Sequence, residues 1–559
     1  MPTALRLLAE LERLLPQFGS GHADRKFALL HALEDRKLPT AEAVQRLHEA
    51  LCFLRAYPDD QALLDKVVVM LDRFDLRPDL VRHQRRLADT GIAGTALHYS
   101  FYADTARWLC RRFPGALAVD WRDYRNEALL LQRLPLFAHW AETPALDELD
   151  WSAADWVRRL AGDHSDADFL IRGAAALPGS DAMRETFFEE LELDFVLRPV
   201  PGVPSRSRAV LPGRPVHFVT APLRRARPDL RQAVRYTAAE QPVDAALAEQ
   251  LVTLAREAMV LRHRDLDAFA YADPRDVRLF DAGDGLEFAV FGMQPERRLL
   301  LESVYAFLTL KNGVPIGYVL VSALFGSSEV AYNVFEPWRG GEAGHVYGRV
   351  LALTRQLFGS DTFTVYPYQL GGDGNDEGLA SGAYWFYAKL GFAARDPEQQ
   401  RLHRAEVAQL RRSPTHRSSK RVLAALAAHN VYWSLGEPRD DVIGVFPLAQ
   451  IGLAVTDLLA QRFGADRSAA EAACAAAAAS RCGVRDWQKW DEGERLAFVR
   501  WAPLLLALPG LERWSPADRR AAAEVARAKG GRRESDYVPA LDRHRPLRRA
   551  LVALAKAAR

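Results

Sequence analysis

A glycine-rich segment, WRGGEAGHVYGRVL, contains the residue types that an anion-binding turn requires. It begins with Trp338, and just ahead of a run with helical spacing it carries Arg339, Gly340, Gly341 and Gly344. Main-chain N–H groups at a helix N-terminus have no partner inside the helix, and the helix dipole favours negative charge there. Glycines let the backbone approach a phosphate closely, and an arginine adds a fork of donors. The segment therefore predicts a site for a diphosphate.

A second segment, ASGAYWFYAKLGF, places four aromatic residues side by side at 384–387. On a helix, Ala383 and Tyr387 share one face, and Phe386 and Leu390 share the next. A phenol with a pKa of about 10 is protonated at neutral pH and can therefore donate a proton to a leaving group. Tyr387 is either such a donor or a buried tyrosine whose hydroxyl is satisfied by a structural hydrogen bond.

Candidates for a general base lie close to the glycine-rich turn. Glu329 is near the start of a strand-like run, Glu336 is just before the turn, and His345 follows it. A carboxylate or imidazole with a suitable pKa can take a proton from an attacking amine, directly or through water. A solvated surface position is the alternative for each of them.

Residues 241–400 show the pattern of a mixed α/β domain. A helix, DAALAEQLVTLAREAMVLRH, is followed by strand-like runs in LEFAVFGM, SVYAFLTLKNGVPIGYVLVSALF and SEVAYNVFEP. The Lys311-Asn312-Gly313 turn between two β-rich runs indicates a hairpin. Next come a helix in GHVYGRVLALTRQLFG, a strand in TFTVYPYQL, a helix in GLASGAYWFYAKLG and the start of a last strand at Gly391-Phe392. Hairpins that lead into alternating strands and helices predict a mixed sheet.

The flanks of this domain are mainly helical in pattern. Residues 1–197 and 401–559 carry apolar residues at three- and four-residue spacing, and an Arg-rich linker at 198–240 has seven prolines within 198–229. Proline fixes φ and removes a donor, so this linker predicts little regular structure beyond one short strand in VHFVTA. The predicted fold class is α+β, with a central mixed α/β domain between N- and C-terminal helical domains.

Charge is distributed unevenly along the chain. Residues 401–559 carry 28 Lys and Arg against 17 Asp and Glu, or +11, whereas residues 1–400 carry −9. A basic region can bind nucleic acid or another anionic surface. It can also serve solubility, or dock onto the acidic part of the same chain.

Several classes of protein do not fit the sequence. The four cysteines are far apart and form no C-x-x-C pair, which argues against a zinc site and a disulfide framework and fits a reducing compartment. The N-terminus has charges every few residues, unlike a signal peptide, and the longest apolar run is interrupted by Pro447, Gln450 and Asp457. In the calcium-loop-like GGDGNDEGL, Tyr384 occupies the position of the bidentate glutamate. We expect a cytoplasmic protein without a membrane partner or a metal.

The order of hairpin, glycine-rich turn, helix, strand and helix, together with AYWFYAKLGF, resembles the GNAT superfamily of acyl-CoA-dependent N-acyltransferases over roughly 250–400. AYWFYAKLGF is similar to the family's A-x-x-x-Y-x-K-x-G-F ending. The resemblance implies that acetyl-CoA binds in a cleft where two neighbouring strands splay apart. It also implies that the acetyl group passes directly to an amine within a ternary complex.

The resemblance assigns roles to individual residues. Tyr387 would protonate the leaving thiolate, and Glu336 or Glu329 would be the base. The donor would be held by main-chain groups of the strand at 319–323 and by the turn, a set comprising Val319, Val321, Arg339, Gly340, Gly341, Ala343, Gly344 and His345. One departure stands out, because Glu342 occupies the place of the family's middle glycine. A carboxylate 4 Å from a phosphate costs up to ~4 kcal/mol at an effective dielectric constant of about 20.

Three functions follow from these patterns. The first is an N-acyltransferase that uses acetyl-CoA and a small-molecule or protein amine. The second is a GNAT-like binding or scaffold protein that has lost catalysis, with Glu342 as its sign. The third is an aminoacyl transferase with an RNA-linked donor, suggested by the basic residues of 401–559.

Overall fold

The structure, a computed structural model, describes residues 3–19, 21–413 and 415–557. The chain forms two compact units. The first comprises Met1–Pro222, Gln250–Tyr271 and Lys311–Pro315, and the second comprises Leu223–Glu249, Ala272–Leu310 and Ile316–Arg559. The chain is of the mixed α/β type, with many helices and a nine-stranded mixed sheet.

The chain up to residue 222 is mostly helical, as its apolar spacing predicts. Serine, threonine or aspartate side chains cap several of these helices by accepting a main-chain N–H of the first turn, Thr40 and Asp60 among them. The helices are α1 (Ala4–Leu14), α2 (His22–Glu34), α3 (Ala41–Ala56), α4 (Gln61–Asp72), α5 (Pro78–His83), α6 (Ala103–Arg112), α7 (Glu127–Arg133), α8 (Thr143–Glu148), α9 (Ala153–Ala161), α10 (Asp166–Ala176) and α11 (Asp181–Glu190).

The same stretch also contains a small antiparallel sheet that the helical pattern did not predict. Its strands are β1 (Leu97–Tyr99), β2 (Leu117–Val119) and β3 (Phe195–Leu197), in the order β1-β3-β2. Each strand has only three residues. A two-residue period cannot be recognised over so short a run, which explains why the sequence reads as helix there.

Residues 223–400 contain most of the large sheet and several helices. Their elements are α12 (Leu230–Ala233), β4 (Ala239–Gln241), α13 (Ala245–Val260), α14 (Asp267–Ala270), β5 (Ala272–Asp281), β6 (Leu286–Met293), β7 (Ser303–Lys311), β8 (Val314–Leu324), β9 (Ser327–Val334), α15 (Ala343–Phe358), β10 (Thr362–Val365), α16 (Pro367–Leu370), α17 (Asp376–Ser381), α18 (Ala383–Lys389) and β11 (Ala393–Ala394). The predicted strands β6 to β9 are confirmed, and the strand predicted in TFTVYPYQL is confirmed only at Thr362–Val365, because Pro367–Leu370 forms α16. The turn between β7 and β8 has positive φ at Asn312 (49°) and Gly313 (74°), the conformation that a two-residue hairpin turn favours.

The remaining chain is helical apart from one strand. It forms α19 (Pro397–Arg412), α20 (Lys420–Leu426), β12 (Val431–Ser434), α21 (Leu448–Phe463), α22 (Arg467–Cys482), α23 (Glu492–Ala507), α24 (Pro516–Lys529), α25 (Tyr537–Arg543) and α26 (Arg545–Ala557). The strand β12 lies beyond the boundary at residue 400 and was not predicted. It is inserted between β10 and β11, because the sheet order is β11-β12-β10-β9-β8-β7-β6-β5-β4.

The direction of the strands changes at one place that matters for the site. Strands β9 and β10 are parallel, and α15 connects them. Their outer neighbours are antiparallel to them, since β8 pairs antiparallel with β9 and β12 pairs antiparallel with β10. The buried side of α15, including Tyr347 and Leu351, packs in one core with Val330 of β9 and Phe363 of β10. This core fixes the start of α15 beside the end of β9.

Two local predictions are wrong. The segment 216–221 is not a strand; it runs between Pro215 and Pro222, and Val219 N–H donates to the Pro58 carbonyl instead. The segment predicted as one helix up to Lys389 is two helices, α17 and α18. Gly382 separates them with a left-handed φ of 68°, which ends one helix and starts the next.

Replacing Gly382 tests whether this left-handed residue sets the angle between α17 and α18. A Cβ on Gly382 would meet no atom within 4 Å, so only backbone strain opposes a side chain there. We expect Gly382→Ala to lower the free energy of unfolding by about 1 kcal/mol or more. Gly382→Asn should cost less, because asparagine tolerates this conformation. Equal losses in urea denaturation would contradict this account.

Candidate functional site

Strands β9 and β10 part after a short parallel ladder. The ladder pairs Ser327–Glu329 with Thr362–Thr364, whereas β9 continues to Val334. The chain after β10 turns into α16 at Pro367, which has no N–H to donate to a ladder. Beyond Glu329, the β10 side of β9 therefore opens in the direction of the glycine-rich turn.

The glycine-rich turn connects β9 to α15 as predicted. A 3-10 turn at Glu336–Trp338 leads through Gly340 and Gly341 to the first helical residue, Ala343. Glu342 precedes the helix without capping it through its side chain. Among the described residues, the main-chain N–H groups of Ala343 and Gly344 donate to no protein acceptor and thus remain available to an external anion.

A cavity of about 880 Å³ lies against this turn, within the range of about 300–1,000 Å³ that is usual for ligand sites. Its wall includes main-chain and side-chain atoms of the turn, of α18 and of the segment near Ser418. Among the described residues, its lining contains no carboxylate but five basic residues, namely Arg225, Arg227, Arg339, Lys389 and Arg417. A cavity with this charge favours an anionic ligand.

The structure brings most of the predicted donor-binding residues to this cavity. The predicted residues that line it are Arg339, Gly340, Gly341, Ala343 and Gly344. His345, on the first turn of α15, is outside the lining, with its Nε2 atom 3.5 Å from the Arg224 guanidinium.

The prediction for Val319 and Val321 does not fit the structure. Both are fully buried in β8, where they pair with Tyr332 and Val330 of β9. Because β8 lies between β7 and β9, its main-chain groups are used inside the sheet. The main chain that has no pairing with the adjacent strand β10 is instead 330–334 of β9, the strand next to β8.

Sequence reasoning missed the remaining cations of the cavity. Arg225 and Arg227 come from the proline- and arginine-rich segment, Lys389 ends α18, and Arg417 follows α19. Trp385 also lines the cavity, and its Nε1 donates to Ser418 Oγ at 3.2 Å. The only sequence signal was the spacing of Arg225 and Arg227, two residues apart, and these arginines were interpreted as part of the linker.

The carboxylate of Glu342 is turned away from the cavity. It accepts the main-chain N–H of Arg224 at 3.0 Å, and Glu342 is not among the lining residues. The repulsion that its position in the motif predicts is thereby reduced. Arg339, by contrast, is compensated, because its guanidinium forms an ion pair with Glu377 and donates to the Val334 carbonyl at 3.1 Å.

Tyr387 lies behind the cavity wall. Phe386 and Leu390 line the cavity, whereas Tyr387 is only 3% exposed and contacts the rings of Tyr347 (centroids 5.5 Å apart) and Phe392 (5.9 Å). Burial raises the pKa of its hydroxyl above the usual value, so the phenol stays protonated. The structure places this residue beside the cavity and not on its surface.

The two predicted basic carboxylates differ in their surroundings. Glu336 is exposed at the start of the 3-10 turn and outside the cavity lining. Glu329 is half-buried and is the last residue of β9 that pairs with β10, and burial together with the nearby Glu302 carboxylate raises its pKa to about 7.

Glu329 and the aromatic cluster lie on opposite faces of the sheet. Tyr332 of β9 packs its ring against Tyr347 of α15 (5.2 Å) and Phe386 of α18 (6.3 Å). Glu329 is three residues earlier on the same strand, so its side chain points to the other face. The opening beyond Glu329 is thus flanked by a carboxyl group on one face and by the tyrosines on the other.

Comparison with protein-family models, with curated proteins and with solved structures finds no match to this chain. Within 3–19, 21–413 and 415–557, no group of three or more His, Cys, Asp or Glu side chains is arranged to hold a metal ion. None of the helices in those ranges has both the length and the apolar character needed to cross a membrane. All four cysteines are free thiols.

Replacing Glu329 tests the cause of its raised pKa. A pKa of about 7 in the folded protein exceeds the value of about 4.3 expected in the unfolded chain. The native state therefore loses stability as pH rises from about 4.5 through 7, because it must ionise a disfavoured carboxyl group. We expect Glu329→Gln to match the wild type near pH 4.5 and to be more stable at pH 8, by roughly 1–3 kcal/mol in urea denaturation.

The matched control is Glu336→Gln, which removes an exposed carboxylate from the 3-10 turn that follows the same strand. Because this substitution relieves no burial, it should not reproduce the gain in stability at pH 8. A difference between wild type and Glu329→Gln that is the same at pH 4.5 and at pH 8 would contradict the assigned environment of Glu329.

Proposed function

We propose that this chain is an acyl-CoA-dependent N-acyltransferase with acetyl-CoA as the donor. The observation that carries the proposal is the cation-lined cavity at the N-terminus of α15, the helix that connects the parting strands β9 and β10. An anion of two phosphates suits the main-chain donors of 343–345, and glycines at 340, 341 and 344 leave room for it. The resemblance of AYWFYAKLGF to the GNAT ending is independent support.

The donor's acyl arm would run from this cavity along β9. The main chain of 330–334 has left β10, and amide groups of the arm can hydrogen-bond to it as a further strand would. The thioester then lies near the level of Glu329. An amine that approaches from the Glu329 face would attack the thioester carbonyl carbon, and the carbon–sulfur bond would break.

Two protons must move in this reaction. The attacking amine loses one, and Glu329 is the better of the two predicted bases, since a pKa of about 7 leaves much of it ionised at neutral pH. The departing thiolate gains one, and Tyr387 is the proposed donor. Its raised pKa keeps the phenol protonated at neutral pH, and its place behind Phe386 requires a movement of the cavity wall before the hydroxyl reaches the thiolate.

The cavity also bears on the two other functions. A scaffold without catalysis was suggested by Glu342, and this argument is weaker because its carboxylate is held by Arg224. An RNA-linked donor would also present phosphates to the arginines of the cavity. Salt-sensitive binding of transfer RNA, with no effect of acetyl-CoA, would favour that function.

Gly340 offers a sharp test of donor binding. A Cβ at this position meets no atom within 4 Å, so alanine fits without disturbing the fold, and the aspartate side chain starts in open space. We expect acetyl-CoA at about 100 times its Kd to raise the melting temperature of the wild type and of Gly340→Ala by roughly 3 °C or more. Gly340→Asp should lose this shift, because its carboxylate lines the site of the phosphates.

The melting temperatures without ligand serve as the control for Gly340. All three proteins should agree to within about 2 °C in that state, as expected for surface substitutions. Failure of acetyl-CoA to stabilise the wild type would overturn the proposal. An equal shift in Gly340→Asp would remove the turn from the binding site.

Tyr387→Phe tests the proposed proton donor. The variant removes one hydroxyl from a buried ring, so the acetyl-CoA-dependent rise in melting temperature should persist while turnover with a panel of primary amines falls about 100-fold. Tyr384→Phe is the matched control on the same helix, since the Tyr384 hydroxyl contacts His403 Nδ1 (2.9 Å). Wild-type turnover in Tyr387→Phe would exclude this role.

A further inference from the structure

The segment 224–228 is fixed across the beginning of α15. At its first residue, the Arg224 main-chain N–H donates to the Glu342 carboxylate at 3.0 Å. The Arg224 guanidinium also lies 2.8 Å from the Asp284 carboxylate. These contacts hold the segment at the helix end where the anion is expected.

The other end of the segment packs directly on α15. A Cβ on Gly344 would lie 3.4 Å from Pro228 Cδ, and a Cβ on Gly348 would lie 3.1 Å from the Cβ of Ala233 in α12. The two glycines therefore let Pro228 and α12 approach the helix closely. With both ends anchored, the residues between them have a defined position although their side chains are exposed.

Arg225 and Arg227 both line the cavity, whereas Arg224 and Ala226 do not. This alternation directs every second side chain of the segment to the same side. Over the described ranges, neither Arg225 nor Arg227 forms an ion pair with an acidic side chain, and the same holds for Lys389 across the cavity. Their charges are therefore available to a ligand.

The number of uncompensated charges exceeds what a diphosphate requires. The main-chain N–H groups of Ala343 and Gly344 can serve the diphosphate, and Arg339 is already paired with Glu377. A phosphomonoester adds about 1.5 to 2 negative charges at neutral pH and three strong acceptor oxygens. Two neighbouring guanidinium groups provide the planar pairs of donors that such a group binds best.

We propose that Arg225 and Arg227 bind the phosphomonoester on the ribose of the donor, so that this chain distinguishes CoA from dephospho-CoA. The inference rests on the proposed function, because it assigns a third phosphate to the same ligand. It also gives Glu342 a role, since this carboxylate holds the arginine segment over the helix end through Arg224.

Calorimetric titration of the full chain with CoA and with dephospho-CoA tests the inference. We expect CoA to bind about 10- to 100-fold more tightly than dephospho-CoA to the wild type, as charge-assisted contacts to one phosphate allow. In the double variant Arg225→Ala/Arg227→Ala this ratio should fall to below about threefold, through weaker binding of CoA alone. The affinity for dephospho-CoA should change little.

The matched control is Arg401→Ala/Arg404→Ala, which removes two exposed arginines of α19 that do not line the cavity. It should retain the wild-type ratio, which separates specific contacts from a loss of net charge. Equal binding of the two nucleotides to the wild type, or an unchanged ratio in Arg225→Ala/Arg227→Ala, would overturn this inference and leave the proposed function intact. Binding of neither nucleotide would overturn both.

Discussion

The hydrogen bond from the Arg224 main-chain N–H to the Glu342 carboxylate determines how the start of α15 can be used. It turns the one acidic side chain of the glycine-rich turn away from the helix end. It also fixes a basic segment over that end, so that the donors of the helix and the guanidinium groups of Arg225 and Arg227 face one cavity. At its position in the motif, the Glu342 carboxylate would repel a phosphate. Here it instead holds the basic segment that lines the cavity.

The second constraint is the early end of the ladder between β9 and β10. In a sheet, the main-chain groups of an interior strand normally form hydrogen bonds to a strand on each side. A strand that extends beyond the end of its neighbour, as β9 does beyond its ladder with β10, can offer these groups to a ligand. Here the pairing of β9 with β10 ends at Glu329, and the chain of β9 continues to the turn at Gly340 and Gly341. Glu329, a carboxyl group with a pKa of about 7, lies on one face of β9, and the buried Tyr387 lies on the other; the proposed mechanism assigns one proton transfer to each.

Long apolar runs and turn residues made much of the secondary structure around the site predictable from the sequence. The strands β6 to β10, the hairpin at Asn312-Gly313 and the helix after the glycine-rich turn follow from period, glycine and helix propensity. The three-residue strands and β12 were missed because pairing partners far along the chain stabilise them, not their own sequence. Arg225 and Arg227 were missed for a similar reason: only their tertiary anchors direct them into the cavity.

A crystal structure of the chain with bound CoA tests the central claim most directly. Our account predicts the diphosphate against the main-chain N–H groups of Ala343 and Gly344, the arm beside 330–334 of β9, and the Glu342 carboxylate still on Arg224. A nucleotide bound elsewhere, or a Glu342 side chain that occupies the helix end in place of the phosphates, would contradict it.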